Sequence, residues 1–378
     1  MQTPVTGLAH DPSDPNFSDD PYAYYRRLRD AEPVHRHAAS GAYLLSRFRD
    51  VWDATNDWQA FSSVSRLADH KHVAQMDPPE HDRLRGRIAR HFTLRASAPL
   101  EAEIRAICRE RLDPLAGRAE ADLVAELAHV MPSRVVQLVL GIPRALEEAV
   151  REKALAIAMA PDSATMERQS AELEALAREV VLGRAAPERP GLVQQLQAEA
   201  DPPSEAELIG LCTNVVLAGT DTTSNLLANG LVLLHRHPRA RAELAEDFAR
   251  IPGAIEEMLR FESPVQSLGR RATRAVALHG VEIPAGAEVR LLWGAANRDE
   301  REFERPDAFD PRRRMRRHLA FGHGVHVCLG APLARLEARV AFEEILGRWP
   351  GLRVIEAGLV RLRSFWARGY ERVPVELR

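Results

Sequence analysis

Cysteine, net charge and long apolar runs are all scarce in this chain. Only three of its 378 residues are cysteine, and their wide spacing excludes a disulfide framework or a zinc-binding pattern. A formal net charge of −3 argues against general nucleic-acid binding. No apolar run reaches about 18 residues, the length that a membrane-spanning helix needs. Residues 1–20 show no signal-peptide or transit-peptide pattern, so we expect a cytoplasmic protein without membrane partners.

Most of the apolar residues, which make up 45% of the chain, recur with a helical period. Spacing of three and four residues runs from Leu94 to about Ala200, and the longest such pattern runs from Ser204 to about His235, where Ser204 and Glu207 predict a capping box. Alternation predicts a β-hairpin at Val34–Ser46 and strands in Ala275–Leu292 and parts of Leu352–Arg378. The sequence therefore predicts a mainly α protein with a smaller β-rich region.

One cysteine, Cys328, lies in a glycine-rich stretch that reads FGHGVHVCLG at 321–330. The two glycines before the cysteine allow a tight turn that can lie against a flat macrocycle, and Gly330 allows close packing after it. The helical pattern that follows has Pro332 in its first turn, and its N-terminal amides favour a thiolate. A thiolate in this loop can be the axial ligand of a haem iron, although a lone cysteine is more often a buried, inert side chain.

The centre of the longest helical pattern has an unusual composition. Residues 218–223 read AGTDTT, and one glycine with three hydroxyl side chains weakens a regular helix. We expect a local distortion there, with room for water. A kink with a purely structural role would have the same composition.

Two pairs of charged side chains stand at helical spacing. His81 and Arg85 are four residues apart, and Glu257 and Arg260 are three apart. On spacing alone both pairs are typical of exposed helix surfaces, where such a pair contributes about 0.2–0.5 kcal/mol.

Taken in order, these segments resemble the cytochrome P-450 monooxygenases, soluble bacterial type. The stretch around Cys328 is similar to the haem-binding signature of that family, in which a cysteine thiolate is the axial ligand. The resemblance extends from about Asp20 to the C-terminus. It implies one cytochrome P-450 domain over residues 1–378, with the triangular-prism fold and a flexible segment at 1–19. It also implies haem b (iron protoporphyrin IX), placed between Gly219–Thr222 and Cys328.

The resemblance assigns cofactor-binding roles residue by residue. Cys328 matches the metal ligand, and Phe321 and Gly330 belong to its loop. Cationic or polar side chains that match the partners of the haem propionates are His81, Arg85, Arg270 and His326, with Arg271 as the fallback for Arg270. Such donors suit a dianionic cofactor edge that is buried in protein.

The same resemblance assigns the chemistry of the long helix. Asp221 and Thr222 match the acid–alcohol pair that delivers protons to iron-bound oxygen, and Gly219 would leave space for dioxygen. Glu257 and Arg260 match a buried structural ion pair that braces the cofactor side of the fold.

Substrate contacts are the least determined part of the site. The candidates for lining the pocket, each equally compatible with plain core packing, are Asn214, Leu217, Ala218, Val265, Leu268, Phe365 and Trp366. The loop Val64–Gln75 is short for the family, which suggests a more open pocket, a bulky substrate or a substrate carried by another protein.

The implied function is insertion of one oxygen atom of O₂ into a small organic substrate, in bacterial secondary metabolism or catabolism. No flavin or iron–sulfur segment is present, so electrons are expected from a separate ferredoxin and ferredoxin reductase. A cluster of arginines would either steer that acidic partner or form a solvated basic turn: Arg312, Arg313, Arg314, Arg316 and Arg317. The alternatives are a peroxide-driven peroxygenase on the same fold and a non-catalytic haem-binding sensor or recruitment protein.

Overall fold

Helices make up most of the computed structural model, which describes residues 17, 19–64, 72–160, 163–364 and 366–378. The helices, in chain order, are α1 (Tyr22–Ala31), α2 (Phe48–Asn56), α3 (Glu80–Ala89), α4 (Leu94–Ser97), α5 (Glu101–Leu112), α6 (Met131–Leu140), α7 (Glu147–Ala158), α8 (Ser163–Val181), α9 (Leu192–Gln197), α10 (Glu205–Arg236), α11 (Pro238–Glu246), α12 (Ile251–Phe261), α13 (Trp293–Ala296) and α14 (Ala331–Arg348).

The strands are short; β1, β2, β6–β8 and β9–β12 fall in the regions of predicted alternation, whereas β3, β4 and β5 were not predicted. They are β1 (Val34–Arg36), β2 (Tyr43–Leu45), β3 (Phe61–Ser62), β4 (Glu120–Asp122), β5 (Leu268–Ala272), β6 (Val276–Leu278), β7 (Val281–Ile283), β8 (Glu288–Leu291), β9 (Arg353–Val354), β10 (Val360–Arg361), β11 (Tyr370–Arg372) and β12 (Pro374–Glu376). The predicted hairpin at Val34–Ser46 is confirmed, because β1 and β2 pair antiparallel.

The described residues divide into two compact units. The first takes its residues from Met1–Ser65, Pro252–Cys328 and Leu359–Glu371, and the second from Arg66–Ile251, Leu329–Gly358 and Arg372–Arg378. The expectation of a single domain over residues 1–378 stays a prediction. The segment 1–19 lies almost wholly outside the described residues.

The first unit is built on a five-stranded sheet with the order β1-β2-β8-β5-β3. β2 and β8 run parallel, and β5 pairs antiparallel with both β8 and β3. Leu45, Val289 and Leu291 face the core with no exposed surface, and Phe48 of α2 packs among them. This core fixes α2 against the sheet.

The second unit surrounds α10, the longest helix. Its start is capped as the sequence predicts, since Glu207 Oε2 accepts the backbone N–H of Ser204 at 2.8 Å and Ser204 Oγ accepts the N–H of Glu207. Leu208 and Val216 of α10 belong to one apolar cluster with Leu84 of α3. That cluster holds α3 and the first half of α10 in the same unit.

The unusual composition near the middle of α10 does not interrupt the helix, and the local distortion expected there stays a prediction. The helix is continuous from Glu205 to Arg236. The hydroxyl groups are accommodated by bonds to the preceding turn: Thr222 Oγ1 donates to the carbonyl of Ala218 at 2.7 Å, and Ser224 Oγ to that of Thr220 at 2.8 Å. Hydrophobic packing along the helix outweighs its poor local propensity.

None of the helices within the described ranges combines the length and the apolar character that crossing a bilayer requires.

Candidate functional site

The loop before Cys328 is closed by its own backbone. The N–H of Cys328 donates to the carbonyl of Phe321 at 2.8 Å. Gly322 and Gly324 have φ angles of +65° and +69°, which L side chains rarely adopt. A Cβ at Gly324 would also lie 2.9 Å from the carbonyl oxygen of Thr55. Both glycines are therefore required by backbone conformation, as the sequence suggested.

Of the three cysteine sulfurs, that of Cys328 is the one accessible to a bound metal. Its side chain is exposed, whereas Cys108 and Cys212 are buried. Burial raises the pKa of each of those two thiols to about 12, so they stay protonated at neutral pH. Only a thiolate binds a metal well, which leaves Cys328 as the suitable residue.

The close packing expected at Gly330 is not seen against any described protein atom. A Cβ built there would meet no described atom within 4 Å. Gly330 is instead the N-cap residue of α14, and Pro332 lies in the first turn as predicted.

Strand β5 separates the two arginines that the sequence left as alternatives. Arg270 is buried, with 8% of its surface exposed, and its Nη1 donates to the carbonyl of Gly269 at 2.8 Å. Arg271 points to the other face of the strand, towards the turn at Gly286. Burial thus distinguishes Arg270 from Arg271, and the role of Arg270 as the partner of an anion stays a prediction. In the same unit, His326 is half-buried in a single 3₁₀ turn.

Glu257 and Arg260 form a bidentate ion pair inside the first unit. The two N···O distances are 2.7 and 2.8 Å, and neither side chain has exposed surface. The remaining guanidinium donors reach backbone carbonyls, including those of Asn297 and Pro306, both at 2.9 Å. Full hydrogen bonding is what permits a charge pair to be buried at this depth.

The arginine cluster at 312–317 is less available than the sequence suggested. Arg313 Nε lies 3.1 Å from Glu257 Oε2, so this side chain is a third member of the buried ion pair. Arg317 pairs with Glu302 at 2.9 Å. Arg314 and Arg316 are exposed, and no ion pair of theirs occurs among the described residues. Arg312 and the paired Arg317 are exposed as well, so of these five arginines only Arg313 leaves the basic surface.

Two of the segments proposed to line a pocket lie side by side in the first unit. An isolated β-bridge joins Val265 to Ala367, and Trp366, the neighbour of Ala367, is 38% exposed. Leu268 is half-buried at the start of β5. Phe365 and most of the loop Val64–Gln75 lie outside the described residues.

Helix α3 carries the proposed propionate partners of the second unit. His81 is buried, and its Nδ1 lies 2.8 Å from Asp82 Oδ1; Arg85 is half-buried one turn later. Between them Arg83 forms an ion pair with Glu207 near the start of α10. This pair ties α3 to α10, and the Arg83 guanidinium holds the pKa of Glu207 at about 2 although burial alone would raise it.

One face of α10 brings together five of the predicted site residues. They share partial or full exposure in the middle of the helix, and they follow the spacing i, i+3, i+4, i+7, i+8: Asn214, Leu217, Ala218, Asp221 and Thr222. From residue 223 to residue 234 the helix is buried throughout.

Asp221 has a neutral partner. Asn225 Nδ2 donates to Asp221 Oδ2 at 3.2 Å, and no ion pair of Asp221 occurs among the described residues. Burial raises the pKa of the Asp221 carboxyl from 3.8 to about 6, while the hydrogen bond from Asn225 lowers it. This carboxyl is therefore able to take up and release a proton near neutral pH.

A glycine at position 219 is required by packing inside the second unit, a role that the sequence did not predict. A Cβ at this position would lie 2.3 Å from Cγ2 of Val136 on α6. The glycine allows α10 and α6 to approach closely inside the second unit. Space for dioxygen at Gly219 stays a prediction.

Three residues of the site were missed in the sequence. Asn225 stands one helical turn after Asp221, a spacing that the sequence displays. Arg313 was taken for a surface charge, because an arginine-rich run does not reveal which member is buried. Trp52 has no sequence signal: it stacks on His323 of the Cys328 loop only through the tertiary fold.

Sequence and structure are similar to proteins of one family. The family model described as Cytochrome P450 matches residues 178–350. Cytochrome P450 130 of Mycobacterium tuberculosis (strain CDC 1551 / Oshkosh) is 36% identical, over 95% of this chain and 94% of that protein. Cytochrome P450 monooxygenase PikC of Streptomyces venezuelae is 34% identical, over 96% and 92%. The solved structure of P450BioI in complex with hexadec-9Z-enoic acid ligated acyl carrier protein has a TM-score of 0.89 at 28% identity, covering 96% of this chain and 99% of that one.

Proposed function

Since this chain belongs to the cytochrome P450 family, it is a haem-binding monooxygenase of the bacterial type, and we propose that it inserts one oxygen atom of O₂ into a small organic substrate in secondary metabolism or catabolism. Its fold is that of the family, mainly α with small sheets, and its cofactor is haem b. The observation that carries the proposal is the exposed thiol of Cys328 in a loop whose backbone is closed and whose glycines are required.

The residues present fit haem b. Cys328 supplies an exposed sulfur, three residues before α14 begins in the sequence. In the same unit Arg270 supplies a buried cation and His326 a ring nitrogen donor for the propionates. His81 and Arg85 are the propionate partners that we assign in the second unit. Bound haem supplies the activation of dioxygen, and electron donation from the thiolate favours cleavage of the O–O bond.

Protons for that cleavage are assigned to α10. Thr222 presents a hydroxyl on the partly exposed face of the helix and orients water there. Asp221, with a pKa of about 6, transfers protons from solvent to that water. Its partner is the neutral Asn225, so the carboxylate need not break an ion pair with a described residue to move a proton.

Electrons and substrate come from outside the chain. We assign a ferredoxin and its reductase as donors, with the exposed Arg314 and Arg316 attracting an acidic partner. The substrate is a small organic molecule that contacts Val265, Leu268 and Trp366 of the first unit. The acyl carrier protein bound to P450BioI makes a carrier-tethered substrate the second form to test.

The test combines spectroscopy with turnover. The purified protein should show the ferrous–CO band of thiolate ligation, and Cys328→Ser should abolish it. A library of small molecules is then titrated while the spin state of the ferric haem is followed. A molecule that changes the spin state gives the substrate class. If no free molecule changes it, the carboxylic acids of the library are offered again as thioesters on an acyl carrier protein.

Product formation distinguishes the proposed activity from its alternatives. With a ferredoxin system and O₂ the wild type should turn over, and Thr222→Val should consume O₂ with much less product. Thr220→Val is the matched control, because the Thr220 hydroxyl is buried without a partner among the described residues. Product with peroxide alone would instead indicate a peroxygenase, and no product under either condition would favour a sensor.

A further inference from the structure

The Cys328 loop rests on α2 through an aromatic stack that its haem-binding signature does not include. The rings of His323 and Trp52 have centroids 3.5 Å apart and planes inclined by 22°. His323 precedes Cys328 by five residues, and Trp52 lies in the second half of α2. At this separation the two rings lie nearly face to face, closer than the centroid distances of about 4.5–7 Å typical of aromatic pairs, so the side chains are in direct contact.

Helix α2 is a rigid support for this contact. Its inward-facing side chains, Phe48, Val51 and Ala54, are almost completely buried in the core of the first unit. Phe48 also stacks on Trp52, with centroids 5.8 Å apart and planes inclined by 22°. The indole therefore contacts both Phe48 of the core and His323 of the loop.

The loop meets the end of the same helix one residue later. A Cβ at Gly324 would lie 2.9 Å from the carbonyl oxygen of Thr55 and 3.1 Å from Asn56 Oδ1. Backbone contact at Gly324 and ring contact at His323 therefore dock the loop on the last turn of α2. Neither contact follows from the FGHGVHVCLG pattern alone.

The beginning of the loop has a separate anchor. His318 Nδ1 accepts the backbone N–H of Ala320 at 3.1 Å, which leaves its Nε2–H to donate to Glu256 Oε2, also at 3.1 Å. Glu256 belongs to α12, so the loop is attached to two different helices of the unit. The hydrogen bond from the backbone N–H of Cys328 to the carbonyl of Phe321 closes the loop itself.

The stack is suited to a neutral imidazole. Burial lowers the pKa of His323, and the nearby Arg317 guanidinium lowers it further. That guanidinium lies 4.6 Å from the centroid of the Trp52 ring and pairs with Glu302. A neutral ring against the indole needs no counterion.

We propose that His323 and Trp52 are positioning residues for Cys328: their stack holds the loop on α2, so that the sulfur stays in place to bind the haem iron as a thiolate. Neither residue needs to touch the cofactor. Without the stack, the segment between His318 and Cys328 keeps one fewer attachment and the sulfur is more readily protonated or displaced. This inference rests on ligation of haem iron by Cys328, which is part of the proposed function.

The test follows the ferrous–CO spectrum of holoprotein, which distinguishes thiolate ligation from its loss. The wild-type spectrum is recorded first; if it lacks the thiolate band, the proposed function fails before the inference is tested. His323→Ala should accelerate conversion to the non-thiolate form in mild urea by roughly threefold to tenfold, which corresponds to the loss of the interaction energy of one aromatic pair. His323→Phe keeps a ring on Trp52 and should restore most of the wild-type rate.

The partner residue supplies a second, independent arm. Trp52→Leu should resemble His323→Ala, and the double variant should be no worse than either single variant, because both remove the same contact. His37→Ala is the matched control, since His37 is a half-buried histidine of the same unit whose ring bonds Ser40, away from the Cys328 loop in sequence. Thermal unfolding of all variants is measured in parallel.

The outcomes separate positioning from general stability. Faster thiolate loss in the two single variants, with rescue by His323→Phe and an unchanged control, supports the proposal. The proposal is overturned if thiolate loss merely follows the thermal midpoint, if phenylalanine does not rescue, or if the effects of the two variants add. If His323→Ala does not fold, Trp52→Leu and His323→Phe give the same comparison.

Discussion

Asn225 Nδ2 donates a hydrogen bond to Asp221 Oδ2 at 3.2 Å, one turn further along α10. The acid of the proposed proton relay is thus held by a neutral amide on its own helix. Burial of the carboxyl raises its pKa, and the amide partly offsets this because it donates to the charged form. The pair sets the pH range in which Asp221 changes its charge.

Replacing Asp221 by Asn should lower turnover and, at neutral and higher pH, raise the stability of the fold. Turnover at pH 7 should fall on the order of 10²-fold, since a positioned acid–base group contributes about that much or more. The folded-state pKa of about 6 exceeds the ordinary 3.8, so wild-type stability decreases as pH rises between these values. Above that range Asp221→Asn should therefore be more stable than the wild type, by roughly 1–3 kcal/mol.

Urea unfolding of the two proteins at pH 5 and pH 8 checks this sign. The stability advantage of Asp221→Asn should be larger at pH 8. An advantage that is equal at both pH values would mean that Asp221 does not titrate between them.

Asn225→Leu should move the pH dependence of turnover to higher pH. The leucine removes the hydrogen bond that favours the carboxylate, so the pKa of Asp221 should rise above its value of about 6. A pH–rate profile of kcat measures the shift. In the Asp221→Asn background the same leucine should cause no such shift, and an unchanged profile for Asn225→Leu alone would exclude Asn225 from the relay.

The buried ion pair predicts an unequal cost for its two arginines. Arg260→Leu should destabilise the first unit by about 3–5 kcal/mol, because Glu257 stays charged in the core with the partly exposed Arg313 as its remaining ion-pair partner. Arg313→Leu should cost less, since Arg313 is partly exposed and Glu257 keeps Arg260. Guanidinium unfolding curves measure both. Equal losses of unfolding free energy in the two variants would contradict Arg260 as the main partner of Glu257. The double variant Glu257→Leu/Arg260→Leu should recover part of the stability that Arg260→Leu loses.

Gly219→Ala should destabilise the second unit by about 1–3 kcal/mol, because its Cβ would overlap Val136 of α6. Adding Val136→Ala should restore much of that loss by making room. Gly86→Ala in α3 is the control: no described atom lies within 4 Å of the added Cβ, and the change should be neutral or stabilising. If the double variant were as unstable as Gly219→Ala, the packing explanation would fail.

The sequence alone determined the features that depend on local spacing and backbone conformation. The glycines around Cys328, the capping pair of Ser204 and Glu207 and the hairpin at Val34–Ser46 each follow from residue types at short range. Family resemblance then assigned the cysteine to the iron. These parts of the prediction need no knowledge of which distant segments meet.

Only the tertiary structure decided the features that depend on contacts between distant segments. It gave Gly219 its packing partner Val136, moved Arg313 from the surface patch into the buried ion pair, and buried Arg270 while Arg271 lies on the other face of β5. It also kept α10 continuous where its composition predicted a distortion. The physical reason is common to all four: burial and close packing are properties of neighbours that lie far apart in the sequence, and their energies exceed local propensity.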